Sequence, residues 1–171
     1  SMVNVKLKDA VVRKAAEGGY DDFVHVFVDA ILDAIGGELN AGNMSELNAD
    51  QITLLAYQIL HDEVMDGGFV QLIHNGYGAF IFRNPFDKAL RNWGLRDFYK
   101  LINKGRKVYS QTHENIEKEC TDEEFMALFE QYPEWDDFDD EFVENEESWT
   151  DEIAHYIDGH MDQFAIIEKD E

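Results

Sequence analysis

Carboxylates are the chemically conspicuous groups of this chain. From Glu134 to Glu147, nine of fourteen residues are acidic and none is basic. Such density first suggests hard-cation binding. Read as an EF-hand loop beginning at Asp137, the third and fifth positions fall on Asp139 and Glu141. The sixth is Phe142, where that loop turns on glycine, and the last is Ser148, where it uses a bidentate glutamate. The pattern fails. Di-iron bundles take Glu-x-x-His from two helices plus two further glutamates. Glu152 and His155 have that spacing and Asp22 with His25 approaches it, but no second Glu-x-x-His occurs. The expectation is a chain with no metal and no cofactor.

A second group of polar side chains surrounds Gly67-Gly68. His61, Glu63, Asp66, Gln71 and His74 include acids, bases and an amide within one helical stretch, which is the inventory of general acid–base chemistry. The ordinary role of such residues is to hydrogen-bond a helix end. The sequence contains no Gly-x-Ser-x-Gly, no His-Glu-x-x-His and no phosphate-binding glycine loop. Two readings follow from different classes. One is a ligand-binding or enzymatic domain centred on those five residues. The leading one is a non-enzymatic interaction surface formed by Asp136, Asp137, Asp139, Asp140, Glu141, Glu144 and Glu147.

The charge distribution favours the second. The 171 residues carry a net charge of −23. Residues 1–113 hold 14 acids against 12 bases, whereas residues 114–171 hold 23 acids against 2 bases. A field of that sign repels nucleic acid and anionic membrane surfaces and attracts basic proteins. No apolar run approaches bilayer-spanning length. Cys120 is the only cysteine, so no internal disulfide can form and a reducing cytoplasm is the expected compartment.

Glycines and capping residues divide the chain into helices, and the fold expected is all-α, a compact multi-helix single domain of about eight helices. An N-terminal pair occupies 1–46, with helices over about 8–17 and 21–35 closed by Gly18-Gly19 and Gly36-Gly37. Asn48 and Gln51 form a capping pair for a third helix that ends at Gly67-Gly68, followed by a short helix over 69–74. Residues 79–82 read as a brief strand or a helical turn. Asn84-Pro85 opens another helix, and residues 95–115 form a longer one whose basic face carries Lys100, Lys104, Arg106 and Lys107. Residues 119–171 form an acidic helical subregion of three helices. Thr121 with Glu124 caps the first, Pro133 precedes the second, and Ser148 or Thr150 starts the last.

Blocks of like charge are usually disordered, but here aromatics interrupt the acids in register. At about 100° per residue, Trp135, Phe138, Phe142 and Trp149 share an arc of about 60°. Asp136, Asp137, Asp140, Glu141, Glu144 and Glu147 cover the opposite arc, and Asp139 and Glu146 flank the aromatic stripe. Burying the stripe leaves the acids outward on a rigid support. Nine charges over about 21 Å of helix is one per ~2.3 Å; duplex DNA carries one per ~1.7 Å. A folded surface of this kind suits the phosphate-contacting face of a DNA-binding protein. The bland alternative is a solvated face that promotes solubility.

One stretch carries a family pattern. It runs Leu47-Asn48-Ala49-Asp50-Gln51, then Glu63-Val64-Met65-Asp66-Gly67-Gly68-Phe69-Val70-Gln71, then His74-Asn75-Gly76. This resembles the bacterial family that includes DNA mimic protein 19, whose pattern is Glu-x-x-Asn-Gly-Gly-Phe-x-Gln-Phe followed by Asn. Asp66 stands where Asn is usual and Leu72 replaces the second Phe; Ala89-Leu90 to Gly94 is also similar. The resemblance covers about residues 45–145, making 47–118 the family core. It implies an all-helical, acidic, non-enzymatic protein, and DNA mimicry is what the namesake is known for. The partner implied is a basic protein, a transcription factor or a nuclease. The Gly-Gly-Phe-x-Gln core has a structural reading of its own: a glycine in the left-handed region ends the helix, Phe69 turns into the core, and Gln71 and Asn75 satisfy backbone groups.

Overall fold

The computed structural model describes residues 2–170, and they are all-α apart from one two-stranded sheet. In chain order the elements are β1 (Lys6–Lys8), α1 (Asp9–Glu17), α2 (Tyr20–Ala34), α3 (Ala49–His74), α4 (Gly78–Phe82), α5 (Phe86–Asn92), α6 (Arg96–Ile116), α7 (Asp122–Gln131), α8 (Asp136–Gly159), α9 (Met161–Phe164) and β2 (Ile166–Glu168). Short 3-10 turns cover Met44–Glu46 and Pro133–Trp135. The chain divides into two compact units, residues 1–55 with 147–171 and residues 56–146.

In the first unit the apolar stripe of α2 buries Phe23, Phe27 and Ile31, and the second half of α8 buries Trp149, Ile153 and Ile157. Phe27 meets Phe164 edge-on at 6.4 Å. Asn48 and Gln51 form the reciprocal cap read from sequence: Gln51 N donates to Asn48 Oδ1 at 2.8 Å and Asn48 N donates to Gln51 Oε1 at 3.0 Å. The Gln51 amide then donates to the Phe164 carbonyl at 3.0 Å. The sheet is parallel, pairing Lys6 with Ile166, Leu7 with Ile167 and Lys8 with Glu168. Sequence pattern gives no sign of it, because three residues are too few to show alternation and the partners lie far apart in the chain.

The second unit is built on α6, which buries Phe98, Leu101, Ile102, Gly105, Tyr109, Thr112 and Ile116 along one face. Lys100, Lys104, Arg106 and Lys107 lie on its exposed side. Residues 79–82 resolve as part of helix α4 rather than as a strand. The turn at Gly94 has φ of +89°, and Leu95 N donates back to the Leu90 carbonyl, closing α5 as a left-handed glycine cap. Thr121 and Glu124 form the capping box that starts α7.

One boundary differs from the sequence reading. Ser148 and Thr150 start no helix; α8 runs unbroken through 24 residues. The segment contains neither proline nor glycine before Gly159, and Trp149 and Ile153 continue the buried stripe, so packing carries the helix through two residues that favour caps.

Candidate interaction surface

Pro133 opens a 3-10 turn that delivers Trp135 to the core, and α8 begins at the next residue. Trp135, Phe138 and Phe142 are 0%, 7% and 0% exposed. The Trp135 ring stacks on Phe69 at 5.5 Å, and its Nε1 donates to Thr112 Oγ1 at 3.1 Å. Phe142 packs against Tyr57 and Phe98. Lys104 Nζ sits 5.6 Å over the Phe138 ring, a cation–π contact.

The opposite face holds Asp136, Asp137, Asp140 and Glu144, all exposed, with Glu147 exposed on the next turn of the same helix and Glu141 half-buried. Among the described residues no lysine, arginine or histidine pairs with any of these side chains. The row is a set of free carboxylates fixed to a buried aromatic base. Asp139 belongs to the same run of sequence but not to the free row. It is half-buried, and its Oδ1 accepts from Phe69 N at 2.7 Å.

That contact explains the Gly-Gly-Phe sequence. α3 is bent at Gly67 (φ −149°, ψ 18°) and Gly68 (φ 74°, ψ −178°). The Gly68 conformation is one that L side chains avoid. A Cβ on Gly68 would also lie 2.5 Å from Asp139 Oδ2. The bend frees the Phe69 amide from α3's own hydrogen-bond ladder, and Asp139 caps it. Gly67 is required for a different reason: a Cβ there would strike the Gln71 side chain. Phe69 is 0% exposed beneath Trp135. The glycine pair is thus the seat of the acidic helix. Burial pushes the Asp139 carboxyl up to about 6; the Phe69 amide opposes the rise, and Asp136 and Asp140 add to it.

His61 makes a second link to α8. Its Nε2 lies 2.7 Å from Glu146 Oε1 and its Nδ1 lies 3.1 Å from Asp62 Oδ1. Burial alone would depress its pKa, but hydrogen bonds to Glu146 and Asp62 outweigh burial and raise it. The ring packs against both Tyr57 and Phe142, at 6.0 and 6.3 Å.

The other polar residues around the bend sort into two places. Glu63, Asp66 and Gln71 form one knot: Gln71 Nε2 donates to Glu63 Oε2 at 2.7 Å and to Asp66 Oδ2 at 2.9 Å, and Asn75 Nδ2 donates to Glu63 Oε1 at 3.0 Å. Gln71 and Asn75 therefore bond carboxylates and not the backbone groups expected from sequence, because the backbone donor exposed by the bend is taken by Asp139. His74 lies apart, its Nδ1 2.8 Å from the Ile116 carbonyl and its ring 4.8 Å from Phe125. The structure brings Glu63, Asp66 and Gln71 together, while His61 and His74 engage separate partners. Sequence reasoning missed the capping role of Asp139 and the Glu146 link, and it gave Asn75 a backbone partner in place of Glu63. The wheel position of Asp139 and Glu146 at the edge of the aromatic stripe was the available signal for the first two.

The family model described as DMP19-like protein matches residues 45–160, a span that holds both the glycine seat and the acidic helix. The chain is 36% identical over 126 residues to the DNA mimic protein DMP19 of Neisseria meningitidis serogroup B, covering 73% of this chain and 76% of that protein.

Proposed function

This chain belongs to the DMP19-like family, and from that premise we propose that it is a non-enzymatic interaction protein whose acidic helix occupies the DNA-binding surface of a basic partner, a transcription factor or a nuclease. The single observation that carries the reading is the row Asp136, Asp137, Asp140, Glu144, free of ion pairs among the described residues and fixed on a buried aromatic base. Free charge on a rigid support is pre-organised for a cationic surface, because little conformational entropy is lost when it is engaged. Attraction between complementary fields speeds encounter and weakens with salt. The reading places its action in the cytoplasm, with no cofactor.

The test is displacement of labelled duplex DNA from a basic protein captured from the native host. The parent should displace DNA, and the effect should fall steeply as salt rises, since exposed charges are screened over ~8 Å at physiological ionic strength. Converting Asp136, Asp137 and Asp140 to Asn together with Glu144→Gln should abolish displacement while the circular dichroism spectrum is retained. His74→Gln, away from this face, should leave it unchanged. A four-acid variant that displaces DNA as well as the parent overturns the proposal.

A further inference from the structure

Two large apolar side chains stand exposed beside the acidic row: Met65 on α3 at 44% and Val143 on α8 at 53%. Isolated exposed apolar residues are commonplace, but the register of these two helices puts this pair together. His61 on α3 meets Glu146 on α8, and the Phe69 amide on α3 meets Asp139 on α8. Sequence numbers rise along one helix as they fall along the other, so the helices run antiparallel over this stretch. Residue 65 lies midway between the two links on α3, and residues 142–143 lie midway on α8. Met65 and Val143 are therefore level.

They also lean to the same side. At about 100° per residue, Met65 lies ~40° round α3 from His61 and away from the buried residues Leu60 and Val64, and Val143 lies ~40° round α8 from Asp139 and away from buried Phe142. Both therefore flank the outer rim of the α3–α8 groove. Exposed carboxylates continue outward on each helix, Asp62 and Asp66 on α3 and Asp136 and Asp140 on α8.

We propose that Met65 and Val143 form an apolar notch at the centre of the acidic surface, which receives one aliphatic side chain, leucine, isoleucine or methionine, carried between lysines or arginines on the basic partner. The proposal rests on the reading of the acidic helix given above and adds a contact that reading does not contain. Carboxylates on both sides select a segment rich in positive charge, and the notch selects what stands between those charges. Binding energy at protein interfaces concentrates in desolvated apolar centres, while rim charges steer and set register. The notch supplies the salt-insensitive part of the affinity. The phosphate backbone that the carboxylates resemble has no counterpart to it, so a partner that uses it distinguishes this protein from the backbone of the duplex.

The test uses the full chain and two fluorescent fifteen-residue peptides of equal charge, each of lysine, arginine and alanine, with leucine at the centre of one and serine at the centre of the other. The leucine peptide should bind the parent about tenfold more tightly, with equal dependence on salt. Val143→Glu and Met65→Glu add charge of the attractive sign, yet each should erase the leucine preference. Equal affinity of the parent for both peptides, or a preference that survives both substitutions, overturns the notch. Sedimentation decides against a second copy as occupant: if Val143→Glu converts an oligomer to a monomer, the notch serves self-association and the proposal fails. Failure of the acidic-helix reading is separate. It shows as binding of both peptides that is indifferent to the combined Asp136, Asp137, Asp140 and Glu144 substitutions, whatever the leucine preference.

Discussion

Asp87 and Asp140 carry the same side chain to opposite ends. Asp87 is 1% exposed; its Oδ1 accepts from Lys88 N at 2.8 Å, and its Oδ2 accepts from Asn103 at 3.0 Å and Arg106 at 3.4 Å. Asp140 is exposed, with no partner among the described residues. A carboxylate taken out of water has to be bonded on every side or it destabilises the fold. One left in water costs the fold little and keeps its field for another molecule. Between them stands Asp139, half-buried on the acidic helix and spent on one backbone amide. The acidic segment is therefore not uniform. Its charge count overstates the surface available to a partner, and only burial sorts structural acids from free ones.

The comparison is broken most directly by removing the buried member. Asp87→Ala removes the shared acceptor of the Lys88 amide, Asn103 and the solvent-exposed Arg106 and empties a buried site, and should cost roughly 2–4 kcal/mol in urea unfolding. Asp140→Asn should change stability by less than about 0.5 kcal/mol, as surface substitutions do. Gly68→Ala comes next. It forces a side chain into a positive-φ conformation and against Asp139, and should cost roughly 2–3 kcal/mol. Its near-ultraviolet circular dichroism should report loosened packing of Trp135 and Phe69, and DNA displacement should weaken although no acid has been changed.

How much of this was legible in the sequence follows the range of the interactions. The aromatic stripe of α8, the Thr121 box and the Asn48–Gln51 cap arise within a few residues, so periodicity and spacing expose them. The β1–β2 pairing joins residues 160 positions apart through three-residue strands, and nothing local announces it. Ser148 and Thr150 misled because cap preference is a local tendency, and the burial of Trp149 and Ile153 overrides it. The role of Asp139 was hidden for the same reason: its wheel position shows that it borders the stripe, but only the docked bend of α3 supplies the Phe69 amide. Gly-Gly-Phe was recognisable as a motif, while its purpose as a seat for a helix some seventy residues onward was not.

A finer prediction uses pH. Asp139 has a folded pKa of about 6 against an unfolded value near 3.9, so between those values the folded chain holds a proton that the unfolded chain has released. Stability should therefore rise as pH falls from about 6 to about 4, by an amount of order 1–2 kcal/mol from this group. His61 acts in the same direction. Its raised pKa gives stability that is full below about 6.5 and is lost as pH rises through the folded value. Urea midpoints at stepped pH should show the rise in the parent and a smaller one in Asp139→Asn. Solubility moves the other way: light scattering should increase toward pH 4.5, because the sequence pI is about 4.3 and repulsion between copies disappears there.

The smallest effect concerns the free row alone. Raising salt from low to moderate concentration should stabilise the parent by a few tenths of a kcal/mol, as mutual repulsion among Asp136, Asp137, Asp140 and Glu144 is screened. The four-acid variant should lack that gain. Equal salt responses would show that these side chains do not act on one another, and the contrast with Asp87 would then rest on burial alone.

The position of the acids within α8 gives the surface a direction. Asp136, Asp137, Asp139 and Asp140 crowd the first turns, where the helix dipole places at most about half a positive charge, here reduced because the preceding 3-10 turn already bonds the Asp136 amide to the Pro133 carbonyl. Glu144 and Glu147 lie beyond its reach. Half a charge offsets only a small part of four carboxylates, so the potential stays deepest at the start of the helix and thins toward Glu147. A DNA strand, with phosphates at even intervals, has no such gradient. On the proposed reading the helix therefore gives docking a polarity as well as a place.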